Sequence, residues 1–87
     1  MSKNSMPGVD SQSERELFGQ NFRHARIKTG LSQRDVHRLT GVAQSHISEI
    51  ETGTSNISID TMVKLATVVK HPLWRLFRPL PAAQRPR

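Results

Sequence analysis

The stretch from Ser32 to Gly53, SQRDVHRLTGVAQSHISEIETG, constrains this chain more than any other. It reads as two short helices joined by a tight turn. Gln33 to Thr40 is the first, with Val36 and Leu39 as its apolar positions. Ser32 with Asp35 gives it a capped start and puts a carboxylate near the positive end of the helix. Gly41 follows, and glycine accepts the left-handed backbone that ends a helix without a Cβ clash. Val42 offers an apolar anchor inside the turn, and Ala43 stands at the start of the next helix. Gln44 to Thr52 is the second, with Ile47 and Ile50 on one face. The opposite face carries Gln44, Ser45, Ser48 and Glu49. A helix that is merely solvated more often carries Lys–Glu pairs there. This edge is instead made of short and medium polar side chains rich in hydrogen-bonding atoms.

The flanking segments read as supports for that pair. Residues 1–12 are expected to form a disordered arm, residues 13–78 the folded domain, and residues 79–87 a disordered tail. Ser11 with Glu14, or Ser13 with Glu16, has the spacing of a capping box. A first helix should run from there to about Thr29, with Leu17, Phe18, Phe22 and Ala25 facing the core. Gly30 closes it and Leu31 turns inward. After the loop TSNIS, Ser58 caps a fourth helix, Ile59 to Val69. Its core candidates are Ile59, Met62, Val63, Leu65, Ala66 and Val69. Pro72 pushes His71 out of helical geometry and suits the first position of a short fifth helix, Pro72 to Phe77. There is no internal repeat.

Composition narrows the classes. Eighty-seven residues allow one small domain with a marginal core. The absence of cysteine excludes disulfides and thiolate metal sites. No apolar run reaches membrane-spanning length and the N-terminus lacks a signal-peptide pattern, so a cytoplasmic protein is expected. The net charge is +6, from thirteen Lys and Arg against seven Asp and Glu. Polyanions are natural partners for such a surface, although solubility alone accounts for a charge of this size. Part of the excess sits in the tail, at Arg78, Arg85 and Arg87. His24, His37, His46 and His71 are scattered, without an H-E-x-x-H pattern. His46 and Glu49 share one helical face, but they are two metal ligands without a third. No catalytic residue, metal or cofactor is expected, and a bundle this small has little room for a substrate pocket.

Three segments in order, GLSQRDV, GVAQSHISEIETG and NISIDTMVKLA, resemble the helix-turn-helix of the phage-repressor-like family, the Cro/repressor or XRE-type transcriptional regulators. The likeness runs from Phe18 to Phe77. It implies an all-α fold, a five-helix lambda-repressor-like DNA-binding domain with the helix-turn-helix at helices 2 and 3. It also implies double-stranded DNA as partner.

In that docking the N-terminal residues of the second helix of the motif reach base edges in the major groove. Gln44, Ser45, Ser48 and Glu49 are therefore the expected base contacts. Gln33, Arg34, His46, Thr52, Thr54 and Asn56 are the expected phosphate contacts, Gln33 also supporting Gln44. The resemblance further implies an ion pair between Arg26 and Glu51 that sets the angle at which the recognition helix is presented. Leu73, Trp74, Leu76 and Phe77 are expected at a homodimer interface. Two positions depart from the family pattern. His37 stands where a small residue usually packs, and the TSN loop is neutral where relatives often carry Lys or Arg.

The function implied is a sequence-specific transcriptional regulator, a dimer on a palindromic operator, without a ligand-sensing domain of its own. A polymerase contact is compatible with activation, and promoter occlusion with repression. One alternative is an antitoxin, with a toxin as further partner, or a restriction-modification controller, either regulating its own operon. Another is a protein-interaction module on the same scaffold that does not bind DNA.

Overall fold

Four α-helices and one 3-10 turn make up the described residues: α1 Gln12–Thr29, α2 Gln33–Thr40, α3 Gln44–Thr52, α4 Ile59–Val68, and the 3-10 turn Leu73–Phe77. The computed structural model describes residues 11–79, so the expected arm and tail lie outside them save for Ser11, Gln12 and Pro79.

The helix ends follow local chemistry. At α2 the Ser32 hydroxyl accepts from the Asp35 amide and the Asp35 carboxylate accepts from the Ser32 amide, a complete capping box. Ser58 caps α4 by accepting from the Thr61 amide. Ser11 precedes α1 but makes no cap, because its hydroxyl accepts from the Arg15 guanidinium instead. The first three helices end on glycines with left-handed φ, at Gly30, Gly41 and Gly53. α4 ends on Lys70, φ 63°, with Lys70 N–H donating to Thr67 O at 3.0 Å and His71 N–H to Ala66 O at 2.9 Å. That is the same reversal with a lysine in the glycine's place.

The core draws on every element: Phe18, Phe22 and Ala25 from α1, Val36 from α2, Ile47 and Ile50 from α3, Leu65 and Ala66 from α4, then Val69 and Leu76. The rings of Phe18 and Phe22 lie parallel, and Phe77 tilts against Phe18 at 5.6 Å. Three expected core residues, Leu17, Ile59 and Val63, are outside it. Leu17 is half-buried, Ile59 and Val63 are 64% and 47% exposed, and Leu39, the second apolar position of α2, is 62% exposed. α4 turns Leu65, Ala66 and Val69 inward, which leaves Ile59 and Val63, one turn apart, on another face.

The expected fifth α-helix is not formed. Pro72 has extended ψ, 149°, and stands before the turn rather than in it. Arg78 is held extended, ψ 141°, by the proline that follows it. Too few residues remain between these stops to build an i→i+4 ladder, and the segment closes with i→i+3 bonds such as Arg75 N–H to Pro72 O. Buried Asn21 then takes up carbonyls that the turn leaves over, donating to Leu76 O at 2.9 Å and Arg78 O at 2.7 Å. The fold is therefore an all-α, four-helix arrangement plus a 3-10 turn, with the helix-turn-helix at α2 and α3.

Candidate nucleic-acid interface

α3 is held from behind by α1. Ile47 and Ile50 fill the core, fully or almost fully buried. Truncation of either to Ala should cost about 2–5 kcal/mol. Gly19 lets the two backbones meet: a Cβ there would stand 2.1 Å from the Ile50 carbonyl oxygen. A glycine inside a helix costs about 1 kcal/mol relative to Ala, and this contact is what that cost permits. Gln12 donates from Nε2 to the Gly53 carbonyl at 3.0 Å, at the C-terminal end of α3.

A buried polar cluster completes the seam. The Arg26 guanidinium grips the Glu51 carboxylate with two bonds, Nε to Oε2 at 2.6 Å and Nη2 to Oε1 at 3.0 Å. Its third arm donates to Leu31 O at 2.8 Å, so the residue after the first turn is tied in as well. The side chains are 10% and 3% exposed. Gln33, the first residue of α2, donates from Nε2 to Glu51 Oε1 at 3.1 Å. Three helices thus meet at one carboxylate, and the angle between α2 and α3 is fixed relative to α1.

The outward edge of α3 is unencumbered. Gln44, Ser45, Ser48 and Glu49 are all exposed, and none of these side chains hydrogen-bonds another described residue. Gln44 and Ser48 form one ridge and Ser45 and Glu49 the next, each pair one helical turn apart. The expected phosphate contacts fall into two groups. Arg34 is exposed at the start of α2, beside Gln33. Thr52 and Thr54 are engaged at the far end of α3, while His46, in its first turn, and Asn56 are engaged with each other. Thr52 Oγ1 donates to Glu49 O at 3.0 Å, Thr54 Oγ1 to Glu49 O at 3.3 Å, and the two hydroxyls lie 3.0 Å apart. His46 reaches across to the Asn56 carbonyl at 3.3 Å, and Arg15 donates to Asn56 Oδ1 at 3.3 Å. The loop after α3 is thereby tied to both α3 and α1.

His37, on α2, points away from the core. It is exposed, and its Nδ1 lies 2.8 Å from the Val42 carbonyl, to which it donates. Of the four residues expected at a dimer surface, Leu76 is 1% exposed and belongs to the subunit's own core. Leu73 and Phe77 are half-buried against it, while Trp74 is 61% exposed with the Arg75 guanidinium 5.6 Å from its ring.

The titration of Asp35 is moved. The accepted Ser32 amide, then the Arg38 guanidinium and the Ser32 hydroxyl, lower its pKa from 3.8 to about 2. Among the described residues no group of three or more His, Asp or Glu is placed to hold a metal ion. No described helix is long and apolar enough to cross a membrane.

Several residues that shape this site carry weak signals in the sequence. Gly19 is a glycine within a helical pattern, a mark of close backbone approach. Asn21 is a polar residue inside the apolar stripe of α1. Gln12, Arg15 and Arg23 look like ordinary surface positions of a helix, and only the fold brings Gln12 to the Gly53 carbonyl, Arg15 to Asn56 and Arg23 near Glu51.

The helix-turn-helix family model matches residues 22–70, more than half of the chain. The uncharacterized HTH-type transcriptional regulator y4dJ of Sinorhizobium fredii is 36% identical over 52 residues, covering 60% of this chain and 68% of that protein. The crystal structure of the restriction-modification controller protein C.AhdI from Aeromonas hydrophila superposes with a TM-score of 0.70 at 34% identity, covering 75% of this chain and 98% of that one. The hypothetical transcription factor NHTF from Neisseria superposes with a TM-score of 0.73 at 26% identity, covering 88% and 91%.

Proposed function

The chain belongs to the helix-turn-helix (HTH_3, XRE-type) family of transcriptional regulators, and from that premise we propose that it reads a palindromic operator as a symmetric dimer. It is a DNA-binding regulator rather than an enzyme. The observation that carries the finer reading is the outward edge of α3. Four adjacent polar side chains stand free of the subunit while the reverse of the same helix is locked to α1. A helix so held can enter a major groove without rearranging.

Gln44 both donates and accepts, which suits adenine N6 and N7. Glu49 only accepts, and cytosine N4 is its partner. Ser45 and Ser48 serve base or backbone. Gln33 and Arg34 hold phosphate at one end of the motif. Thr52 with Thr54, and His46 with Asn56, form two hydrogen-bonded pairs that meet the backbone with few charges. The dimer contact is assigned to exposed Trp74 with the outer sides of Leu73 and Phe77. Two-fold pairing would set the recognition helices about 34 Å apart, on successive major grooves.

Within this reading, control of its own operon is favoured. The support is the likeness to a restriction-modification controller over nearly the whole of that chain. Binding selection from a random duplex pool should return a two-fold-symmetric site, and reporter fusions to the chain's own upstream DNA should respond to added protein. Recovery of one half-site only, with a monomer in sedimentation at micromolar concentration, would remove the dimer from the account.

A further inference from the structure

We propose that Arg23 of α1 is a positioning residue that, with Gln33, holds one backbone phosphate of the duplex. The proposal rests on the DNA-binding reading above and deepens it. It starts at Glu51 Oε1. That single oxygen accepts from Arg26 at 3.0 Å and from Gln33 at 3.1 Å, and Arg23 Nε lies 3.9 Å away.

Glu51 and Arg26 are buried and satisfy each other with two short bonds. Arg23 is different. Its side chain is 62% exposed, and 3.9 Å exceeds hydrogen-bond distance. Its guanidinium donors therefore have no acceptor among the described residues. An exposed pair of this geometry is worth little for stability. The charge balance at the cluster is two arginines against one carboxylate, so one positive charge is left over, and it is the exposed one.

The placement makes that charge useful. Gln33 opens α2, and one of its two amide hydrogens is spent on Glu51, leaving the second. Arg23 and Gln33 approach the same oxygen, at 3.9 and 3.1 Å, which brings two side chains with unspent donors to one point at the start of the motif. The backbone amides of α2 are a poorer anchor, since its own Ser32 and Asp35 already cap it. Asp35 is in turn paired with Arg38 at 2.5 Å, so it does not draw on Arg23. A single tetrahedral anion fits the remaining donors, and a duplex presents one as a phosphodiester. Arg23 stands on α1, behind the recognition helix, so it can fix register without reading a base.

The test is a salt titration of duplex binding by Arg23→Gln, Arg23→Lys, Lys64→Gln and Gln44→Ala, using the selected duplex and a scrambled one. Arg23→Gln should weaken both duplexes by the same factor. It should also lower the slope of log K against log salt by about 0.9 per subunit, the value for one phosphate on B-form DNA. Arg23→Lys should recover most of that slope. Lys64→Gln, an equal loss of charge on α4, should leave it unchanged. Gln44→Ala should instead alter preference between the duplexes. An unchanged slope in Arg23→Gln, with Gln44→Ala still altering preference, would overturn the anchor and leave the DNA-binding reading standing. If the unsubstituted protein discriminated no duplex, that reading would fall and the anchor with it.

Discussion

The two flanks of the helix-turn-helix are built differently. On one side α1 meets α3 backbone to backbone at Gly19, with the buried Arg26–Glu51 pair beside it and Gln12 on the carbonyl of Gly53, which caps the helix. On the other side α2 meets α4 around an open groove of about 460 Å³ lined by Leu39, Thr40, Val63, Lys64, Thr67 and Val68. Of α2 only Val36 is buried. The contrast shows where the fold spends its specificity. The α1–α3 seam admits one arrangement, because it combines a contact too close for any side chain with a directional ion pair. The α2–α4 flank, lined by three apolar and three polar side chains, has neither device among the described residues.

The largest break in that contrast should come from Arg26→Ala. It leaves Glu51 buried with only Gln33 and distant Arg23 as partners, and unfolding by urea should report a loss of about 3–5 kcal/mol. A loss no greater than that of an exposed Lys28→Ala control would show the pair to be ornamental. Next, Gly19→Ala gains helix propensity but drives a methyl into the Ile50 carbonyl. We expect a net loss of about 2–3 kcal/mol, whereas Leu39→Ala on the open flank should stay within about 0.5 kcal/mol of the parent. Similar values for the two would erase the distinction drawn above.

The smaller effects sharpen rather than break it. Lys70 holds a left-handed backbone that costs a non-glycine residue about 1–2 kcal/mol. Lys70→Gly should therefore stabilise by about 1 kcal/mol, read as a rise in melting temperature, while the seam is untouched. Asp35 gives a pH signature. Its carboxyl is lowered to about 2 in the folded chain. The capping contribution is therefore complete above the ordinary carboxylate value and is lost as pH falls from about 4 toward 2. Acid titration of stability should show that limb in the parent and a shallower one in Asp35→Asn.

Much of this architecture was legible in the residues because local chemistry dictates it. Ser32, Asp35, Gly41, Ser58 and the helical spacing of Ile47 and Ile50 act within a few positions of themselves, and α2, α3 and α4 formed where those signals stand. The errors arose where neighbours decide. Ile59 and Val63 satisfy the periodicity of α4, but the packing of α4 on the other helices turns them outward, and Leu17 of α1 is only half-buried. The fifth helix failed because a pair of prolines leaves room only for tighter bonding, and Asn21 rewards the carbonyls so released. Gly19, Asn21 and Arg23 act through contacts between α1 and distant segments, which no local window contains. The outer edge of α3 was readable as polar, while its freedom from partners required the fold.

The most direct measurement of the central claim is the base preference of the parent and of Gln44→Ala on duplexes varied one position at a time. We expect the parent to prefer one base pair at a position repeated in each half-site, and Gln44→Ala to lose about 1–3 kcal/mol of discrimination there and nowhere else. Equal weakening of every duplex by Gln44→Ala would make the exposed edge of α3 a backbone contact and contradict the account.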